Sequence, residues 1–233
     1  MMKIYHASLD TCANATGMVV VIDVIRAFTT APFAFAAGVS QILPVSGVDE
    51  ALALRERFPG SQIMGEVGGF PPDGFDWGNS PAAFIGQDLR GRTLIQRTGA
   101  GTQGLVRSHQ ATTLLAASFV NASATVRFIQ QQNPAQVTLV ATDPRGEDLL
   151  CADYLQGLLE GKEIDAAAIR AQVRDMGEQL LAHWRGGGRV SEAQLTAFSA
   201  DLDCCADLDR FDFALPVERR DGLLVMRQSQ GNS

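Results

Sequence analysis

The 233-residue sequence predicts one α/β domain over residues 1–233, with a three-layer α/β/α fold, a mostly buried sheet and a helical insertion in the C-terminal half. Three observations support this. The run at residues 17–24, rich in β-branched residues and apolar apart from Asp23, is typical of a strand buried on both faces. Short apolar runs then alternate with helical patterns as far as residue 159, as in α/β proteins. Helical periodicity dominates about residues 160–205, which predicts the insertion.

The remaining elements follow in chain order from local signals. Thr29, Thr30 and Pro32 suit a helix start and predict a helix at 27–37. Residues 49–58 place acids first and arginines last, which favours a helix. The Gly/Pro-rich segment 65–81 predicts a functional loop, and Ser80-Pro81 predicts the start of a helix after it. Other strands are predicted at 41–45, 62–66, 93–96, 113–117, 136–141 and 223–227, and other helices at 121–132, 148–159, 165–184 and 191–200.

Charge is distributed unevenly along the chain. The formal net charge of −7 argues against a nucleic-acid partner. Residues 89–142 nevertheless contain no Asp or Glu. The same stretch carries Arg90, Arg92, Arg97, Arg107 and Arg127. An acidic protein with a cationic middle favours a small anionic ligand, and we expect this stretch to form one wall of an anion pocket.

Targeting and redox signals are weak. The best apolar run, residues 18–22, is far shorter than the roughly 20 residues of a membrane helix, so no membrane partner is expected. The four cysteines form neither a disulfide framework nor a zinc motif. We therefore expect reduced thiols and a cytoplasmic location.

Asp23 is the first candidate functional residue. It ends a buried strand, where open α/β sheets bind ligands, and Arg26, Thr29 and Thr30 follow within two helical turns. A carboxylate, a guanidinium, two hydroxyls and a helix N-terminus could hold a metal-bridged anion. The alternative is a local ion pair of Asp23 with Arg26, with threonines that cap the helix.

A glycine loop at residues 99–104 has the spacing G-x-G-x-x-G. A dinucleotide site also requires an acid about 20 residues later, and the next acid is Asp143. We expect instead an anion loop with free backbone N–H groups, beside Thr98, Thr102, Arg97 and Arg107. A tight turn with solvated arginines is the alternative.

Several carboxylates follow predicted strands or lie in the long loop. Glu66, Asp76, Glu147 and Asp148 offer hard oxygens of the kind that suit Mg²⁺, which commonly takes one or two carboxylates plus substrate oxygens and waters. The acid-rich segment 201–212 lacks the glycine and closing Glu of an EF-hand, so we expect it to be a solvated face.

The order of the motifs resembles the 2-phosphosulfolactate phosphatase family. The matching segments are VVVIDVIRAFTT (19–30), GEVGG (65–69), GFDWGNSP (74–81), RTGAGT (97–102), SFVNASAT (118–125), GEDLLCADYL (146–155) and DLDRFDFALPV (207–217). The resemblance implies a three-layer α/β fold and Mg²⁺-dependent hydrolysis of the phosphate ester of a small sulfonated hydroxy acid. Two positions depart from the family pattern, Val67 for an Arg and Ala100 for an Asn.

The resemblance also implies roles for individual residues. Asp23, Arg26 and Asp148 would be catalytic. Asp23, Glu66 and Asp148 would form the metal shell, with Glu147 or Asp76 in reserve. Thr29, Thr30, Asn79, Ser80, Arg97, Gly99, Gly101 and Thr102 would bind phosphate or sulfonate. Whether Asp23 is a nucleophile, a base or a metal ligand stays open.

Two alternative functions stay open beside this interpretation, and so does the oligomeric state. The first is a phosphatase for another small phosphorylated acid. The second is a non-catalytic binder of a small anion or nucleotide that uses the loop at residues 99–104. The chain could also form a homodimer.

Overall fold

The computed structural model describes residues 2–186 and 190–229, and within them a nine-stranded mixed sheet lies between layers of helices. The strands are β1 (Lys3–Ser8), β2 (Gly17–Ile22), β3 (Gln41–Val45), β4 (Gln62–Gly65), β5 (Thr93–Arg97), β6 (Ala111–Ala117), β7 (Gln136–Ala141), β8 (Leu215–Arg220) and β9 (Leu223–Met226). The helices are α1 (Ala27–Ala36), α2 (Val48–Arg57), α3 (Gly101–Arg107), α4 (Ala122–Gln132), α5 (Glu147–Leu159), α6 (Ala166–Gly186) and α7 (Glu192–Cys205).

The sheet consists of two parallel groups joined by a hairpin. Its strand order is β1-β7-β2-β6-β8-β9-β3-β5-β4. Strands β1, β7, β2 and β6 pair in parallel, as do β3, β5 and β4. The antiparallel hairpin β8–β9 connects β6 to β3. Each parallel group therefore needs crossover connections, which the helices supply.

Strand β2 is buried on both faces, as its sequence predicts. Val19 and Val21 belong to one apolar core together with Phe28 of α1. Val20 and Ile22 belong to a second core with residues of α4, α5 and α6. Alternate side chains of one strand thus enter two different layers. This confirms the three-layer α/β/α fold and explains the continuous apolar run.

Helices α6 and α7 lie within the segment predicted as a helical insertion. The two helices approach closely at Gly177, where an added Cβ would lie 3.1 Å from Cγ of Leu202. Ile169 and Val173 are the other buried residues of α6 in the second core. The C-terminal half of α6, with Leu180 and Trp184, borders the cavities described below.

The structure corrects several predicted elements. Ser80-Pro81 leads only into a short 3₁₀ turn, Ala82–Phe84, because the chain is extended at Ile85 and reaches a positive φ at Gly86. Strands β1 and β8 were not predicted, since β1 has no buried residue and β8 has only three apolar residues before three exposed charged ones. Helix α7 continues to Cys205, five residues beyond its predicted end. The other predicted strands and helices end within two residues of the observed bounds.

None of the described helices combines the length and the apolar character that a membrane span requires.

The four cysteines are free and buried. Burial raises the pKa of the Cys151 and Cys205 thiols well above the usual value. These two thiols are therefore protonated and unreactive.

Candidate active site

Two adjoining cavities, together called the cleft, open at the ends of β2, β4, β5 and β7. They share Asp23, Ile25, Ala100 and Leu180. The larger has a volume of about 570 Å³ and the smaller about 290 Å³. Further residues of the larger cavity include Thr142, Asp143, Arg145, Glu147, Asp148 and Asp175. Further residues of the smaller cavity include Arg26, Glu66, Asn79, Gly99, Trp184 and Phe198.

Asp23 lies where the two cavities meet, directly after β2. Its Oδ1 accepts a hydrogen bond of 2.9 Å from the backbone N–H of Ala27, and the backbone of Gly101 also donates to this carboxylate. Asp23 therefore joins the first residues of α1 and α3. Burial, and then the charge of Asp148, raise its pKa from 3.8 to about 7.

Asp148 binds the ends of two neighbouring strands together. Its Oδ1 accepts from the N–H of Val24 at 2.7 Å. Its Oδ2 accepts from the hydroxyl of Thr142 at 2.6 Å and from the N–H of Asp143 at 2.9 Å. Burial, followed by the charge of Glu147, raises the pKa of Asp148 to about 7. This carboxylate is thus already enclosed by protein donors.

Glu147 is the third carboxylate of this region with a raised pKa. Burial is the main cause, with the charges of Asp23 and Asp143 adding to it, and the pKa reaches about 7. Asp23, Glu147 and Asp148 therefore oppose one another's ionisation. A cation bound beside them would relieve that repulsion.

Arg26 does not pair with Asp23, so the alternative interpretation, a local ion pair of these two residues, is wrong. Its Nη1 lies 2.5 Å from Oδ2 of Asp201, and its Nη2 donates to the carbonyl of Gly69 at 3.3 Å. The guanidinium also lies over the ring of Phe198, 4.9 Å from its centroid. Asp201 is fully buried, which corrects the prediction of a solvated face at this position.

Asp201 and Phe198 are functional candidates that the sequence analysis missed. A signal was present, because Asp201 lies on the buried face of α7 between apolar residues. The other members of that face are Leu195, Phe198, Leu202 and Cys205. An acid on the apolar stripe of a helix requires a buried partner.

The glycine loop does not present free N–H groups at the predicted positions. Gly99 donates to Oε1 of Glu66, and the N–H of Thr102 donates to the hydroxyl of Thr98 at 3.1 Å. Gly101 donates to Asp23. An added Cβ at Gly101 would lie 2.7 Å from Oδ2 of Asp23, so only glycine allows this approach. The loop holds carboxylates of the protein itself, and a role in substrate binding stays a prediction.

Four other predicted ligands have their polar groups committed to the fold. Thr29 and Thr30 are fully buried and donate to the carbonyls of Val24 and Arg26. The hydroxyl of Thr102 donates to the carbonyl of Thr98. The guanidinium of Arg97 donates to the carbonyls of Ser46 and Glu66. None of the four lines either cavity of the cleft, so the structure places them as supports of the surrounding backbone.

The arginines of the acid-free stretch do not form the wall of the cleft. Arg90 pairs with Asp88, while Arg92, Arg107 and Arg127 donate to the carbonyls of Gly60, Leu9 and Asp212. None of them, nor Arg97, lines either cavity. The stretch contributes Gly99, Ala100 and Thr142 instead. The predicted cationic wall is therefore wrong.

Asn79 and Ser80 lie at the end of the long loop and differ in whether their polar atoms already have hydrogen-bond partners. Asn79 is 7% exposed and lines the smaller cavity, and its Oδ1 has no hydrogen-bond partner among the described residues. Ser80 donates to Oδ1 of Asp201 at 2.6 Å. A buried amide without a partner is costly unless a ligand or water satisfies it. Asn79 is thus the better candidate for contact with a ligand.

The carboxylates suit a magnesium site with few protein ligands. Among the described residues, no group of three or more His, Cys, Asp or Glu side chains is arranged to hold a metal ion. Glu66 accepts from Gly69 and Gly99, and Asp76 accepts from Ile63 and lies outside the cleft. The predicted three-carboxylate shell is therefore not assembled. Hard oxygens beside a substrate cavity still fit Mg²⁺ held by one or two carboxylates.

The fold and the cleft define a three-layer α/β protein with buried carboxylates at the ends of its strands and an arginine in each cavity, Arg145 in the larger and Arg26 in the smaller. The family model described as 2-phosphosulpholactate phosphatase matches residues 5–219. The chain belongs to that family, and the resemblance seen in the sequence is confirmed.

Curated relatives agree with this membership. The probable 2-phosphosulfolactate phosphatase of Carboxydothermus hydrogenoformans is 35% identical over 221 residues, which cover 91% of each chain. The protein of the same description from a Cyanothece species is 33% identical over 223 residues, covering 88% of this chain and 91% of the relative. That of Bacillus subtilis is 38% identical over 152 residues, covering 64% and 67%.

Proposed function

We propose that this chain hydrolyses the phosphate ester of 2-phosphosulfolactate and releases sulfolactate and inorganic phosphate with the help of Mg²⁺. Family membership supports the reaction class. The observation that carries the proposal is the cleft, in which Asp23 lies between a larger cavity with further carboxylates and a smaller one with Arg26 and Asn79. Such a site combines groups for a cation with groups for an anion.

Arg26 and Asn79 would bind the anionic substrate. The contacts of Arg26 with Asp201 and Gly69 use two of the five N–H groups of a guanidinium. The others could neutralise charge on phosphate oxygens as water attacks in line. The unpartnered amide of Asn79 could accept or donate a hydrogen bond at the same cavity.

Asp23 and Glu147 would hold the Mg²⁺ ion, because both line the larger cavity and a cation there would stabilise the ionised forms that burial disfavours. When bound, Mg²⁺ would offset negative charge on the phosphoryl oxygens. Asp148 would keep the ends of β2 and β7 in register around the site, since its oxygens accept three hydrogen bonds from that backbone and from Thr142.

Phosphate release from 2-phosphosulfolactate tests the proposal directly. The wild type should release phosphate with MgCl₂ and lose the activity with a chelator. Asp23→Asn should lower the rate on the order of 10²-fold or more. Asp203→Asn is the matched control, because Asp203 lies on the surface of α7 in an exposed pair with Arg174. Equal rates in Asp23→Asn and wild type would remove Asp23 from the mechanism.

A different phosphorylated acid is the second candidate substrate. It is favoured by the two departures from the family pattern. Ala100 brings only a methyl group to both cavities, and Val67 is 48% exposed between Glu66 and Gly68 of the smaller cavity. A panel of phosphorylated hydroxy acids with and without a sulfonate would decide between the two. Faster turnover of a compound without sulfonate would replace the first substrate.

A non-catalytic binder receives less support. Gly99 and Gly101 already donate to acids of the protein, so the loop has fewer N–H groups for a nucleotide. This alternative predicts a higher melting temperature with nucleotide or phosphate and no turnover. Phosphate release from any compound of the panel would exclude it.

A further inference from the structure

A single carboxylate on α7, that of Asp201, contacts Arg26 of the smaller cavity. Asp201 is fully buried, and both of its oxygens are used. Oδ2 accepts from Nη1 of Arg26 at 2.5 Å. Oδ1 accepts from the hydroxyl of Ser80 at 2.6 Å and from the N–H of Ala82 at 3.1 Å. One side chain from the helical segment therefore connects Arg26 with the end of the long loop.

Phe198, one turn before Asp201 on the same helix, supports the face of the guanidinium. Its ring centroid lies 4.9 Å from Cζ of Arg26. Trp184 of α6 packs against Phe198 with ring centroids 4.6 Å apart, so the ring is held in turn. The guanidinium is thus contacted on its face by Phe198 and at its edge by Asp201 and Gly69. An arginine held in this way loses little freedom when it binds an anion.

We propose that Asp201 is a positioning residue, which holds the Arg26 guanidinium in the orientation that binds the phosphoryl group. The proposal rests on the proposed function in one respect, that Arg26 contacts the substrate. Asp201 itself contacts neither substrate nor reacting atoms. Its effect on binding is exerted through Arg26, and a purely structural carboxylate would affect stability alone.

Asp201→Asn separates these roles because it keeps the shape of the side chain. The amide oxygen can still accept from Ser80 and Ala82, but the amide N–H₂ then faces the donor Nη1 of Arg26. We expect about a tenfold or greater loss in kcat/KM and in affinity for inorganic phosphate. Asp203→Asn, an exposed Asp two residues later on the same helix, should change neither.

Chemical rescue tests the positioning role more specifically. Arg26→Ala should lose phosphate affinity, measured by calorimetry, and millimolar guanidinium should restore part of it, compared with NaCl at equal ionic strength. The space left by the arginine retains Asp201 and Phe198, which bind a planar cation. The double variant Arg26→Ala/Asp201→Asn should not be rescued. Equal rescue in both variants would overturn the proposal.

These readouts separate the inference from the proposed function. If the wild type does not hydrolyse 2-phosphosulfolactate, the proposed function fails, whereas phosphate binding and its rescue still test Asp201. Unchanged phosphate affinity in a folded Asp201→Asn protein would overturn the positioning role. If Asp201→Asn does not fold, the phosphate affinity of Arg26→Ala is measured with guanidinium and, separately, with tetramethylammonium. Equal recovery with both ions would then overturn it.

Discussion

Replacing Asp23 by Asn should reduce the pH dependence of stability. In the folded protein the pKa of Asp23 is about 7, against an ordinary value of 3.8. Between these values the folded state holds a proton that the unfolded state has lost, so stability falls as pH rises and the loss is complete above about pH 7. The difference corresponds to about 4 kcal/mol. Since the charge of Asp148 contributes to the shift and the charge of Asp23 acts on Glu147 in turn, this is the largest change expected for the single substitution.

The assay is urea unfolding without divalent cations at about pH 5 and about pH 8.5. The wild type should lose stability between the two, and Asp23→Asn should lose less, by up to about 3 kcal/mol, because only the part of the shift between pH 5 and about pH 7 falls in this interval. The amide of the variant can still accept from the N–H of Ala27 but faces the N–H of Gly101 with a donor. The free-energy cost of this donor–donor contact does not depend on pH. The quantity to compare is therefore the change in the free energy of unfolding between the two pH values. Asp203→Asn should retain the wild-type slope.

The same two proteins also test whether Mg²⁺ binds at Asp23. At about pH 8.5, MgCl₂ should raise the melting temperature of the wild type more than NaCl of equal ionic strength, since a cation that binds the folded state stabilises it. The effect should disappear in Asp23→Asn. An identical pH slope in wild type and variant would refute the electrostatic reasoning, and an identical magnesium effect would remove Asp23 from the cation site.

Two further substitutions test how the cleft is built. Asp148→Ala leaves three buried donors without an acceptor and should lower the free energy of unfolding by roughly 3 kcal/mol or more, measured by urea unfolding at about pH 5. A loss below about 1 kcal/mol would contradict this. Gly101→Ala places a Cβ 2.7 Å from Oδ2 of Asp23 and 2.9 Å from Cβ of Ala27, so it should cost about 1–3 kcal/mol and weaken the magnesium-induced rise in melting temperature. Gly186→Ala on α6, where an added Cβ would meet no heavy atom of the described residues within 4 Å, should cause neither loss.

Most of the fold could be predicted from the sequence because its elements have strong local signals. Strand β2 is apolar throughout since both of its faces are buried, and α2 places acids first and arginines last. Strand β8 could not be predicted in this way. Three of its six residues are charged and exposed, and its place between β6 and β9 depends on pairing with distant segments.

The candidate site could be predicted at the strand ends but not in its contacts. Asp23 and Asp148 follow buried strands, and that position alone indicates a functional carboxylate. The expectation for Arg97 was wrong because local charge does not reveal where a long side chain ends. Its guanidinium turns to the carbonyls of Ser46 and Glu66. The partner of Arg26 lies 175 residues away, beyond the reach of any spacing argument.

The carboxylates of the cleft accept hydrogen bonds from the protein backbone, and this limits how they can take part in catalysis. Asp23 joins the starts of α1 and α3, Glu66 joins its own turn to the glycine loop, and Asp148 joins the ends of β2 and β7. Backbone N–H groups that could have bound a substrate anion are thereby used on acids of the protein. Positive charge from the protein must then come from Arg26 in the smaller cavity and from Arg145 in the larger one, and a bound cation would add to it. This is why the position of Arg26, and the Asp201 that fixes it, should matter more than the five arginines of the acid-free stretch.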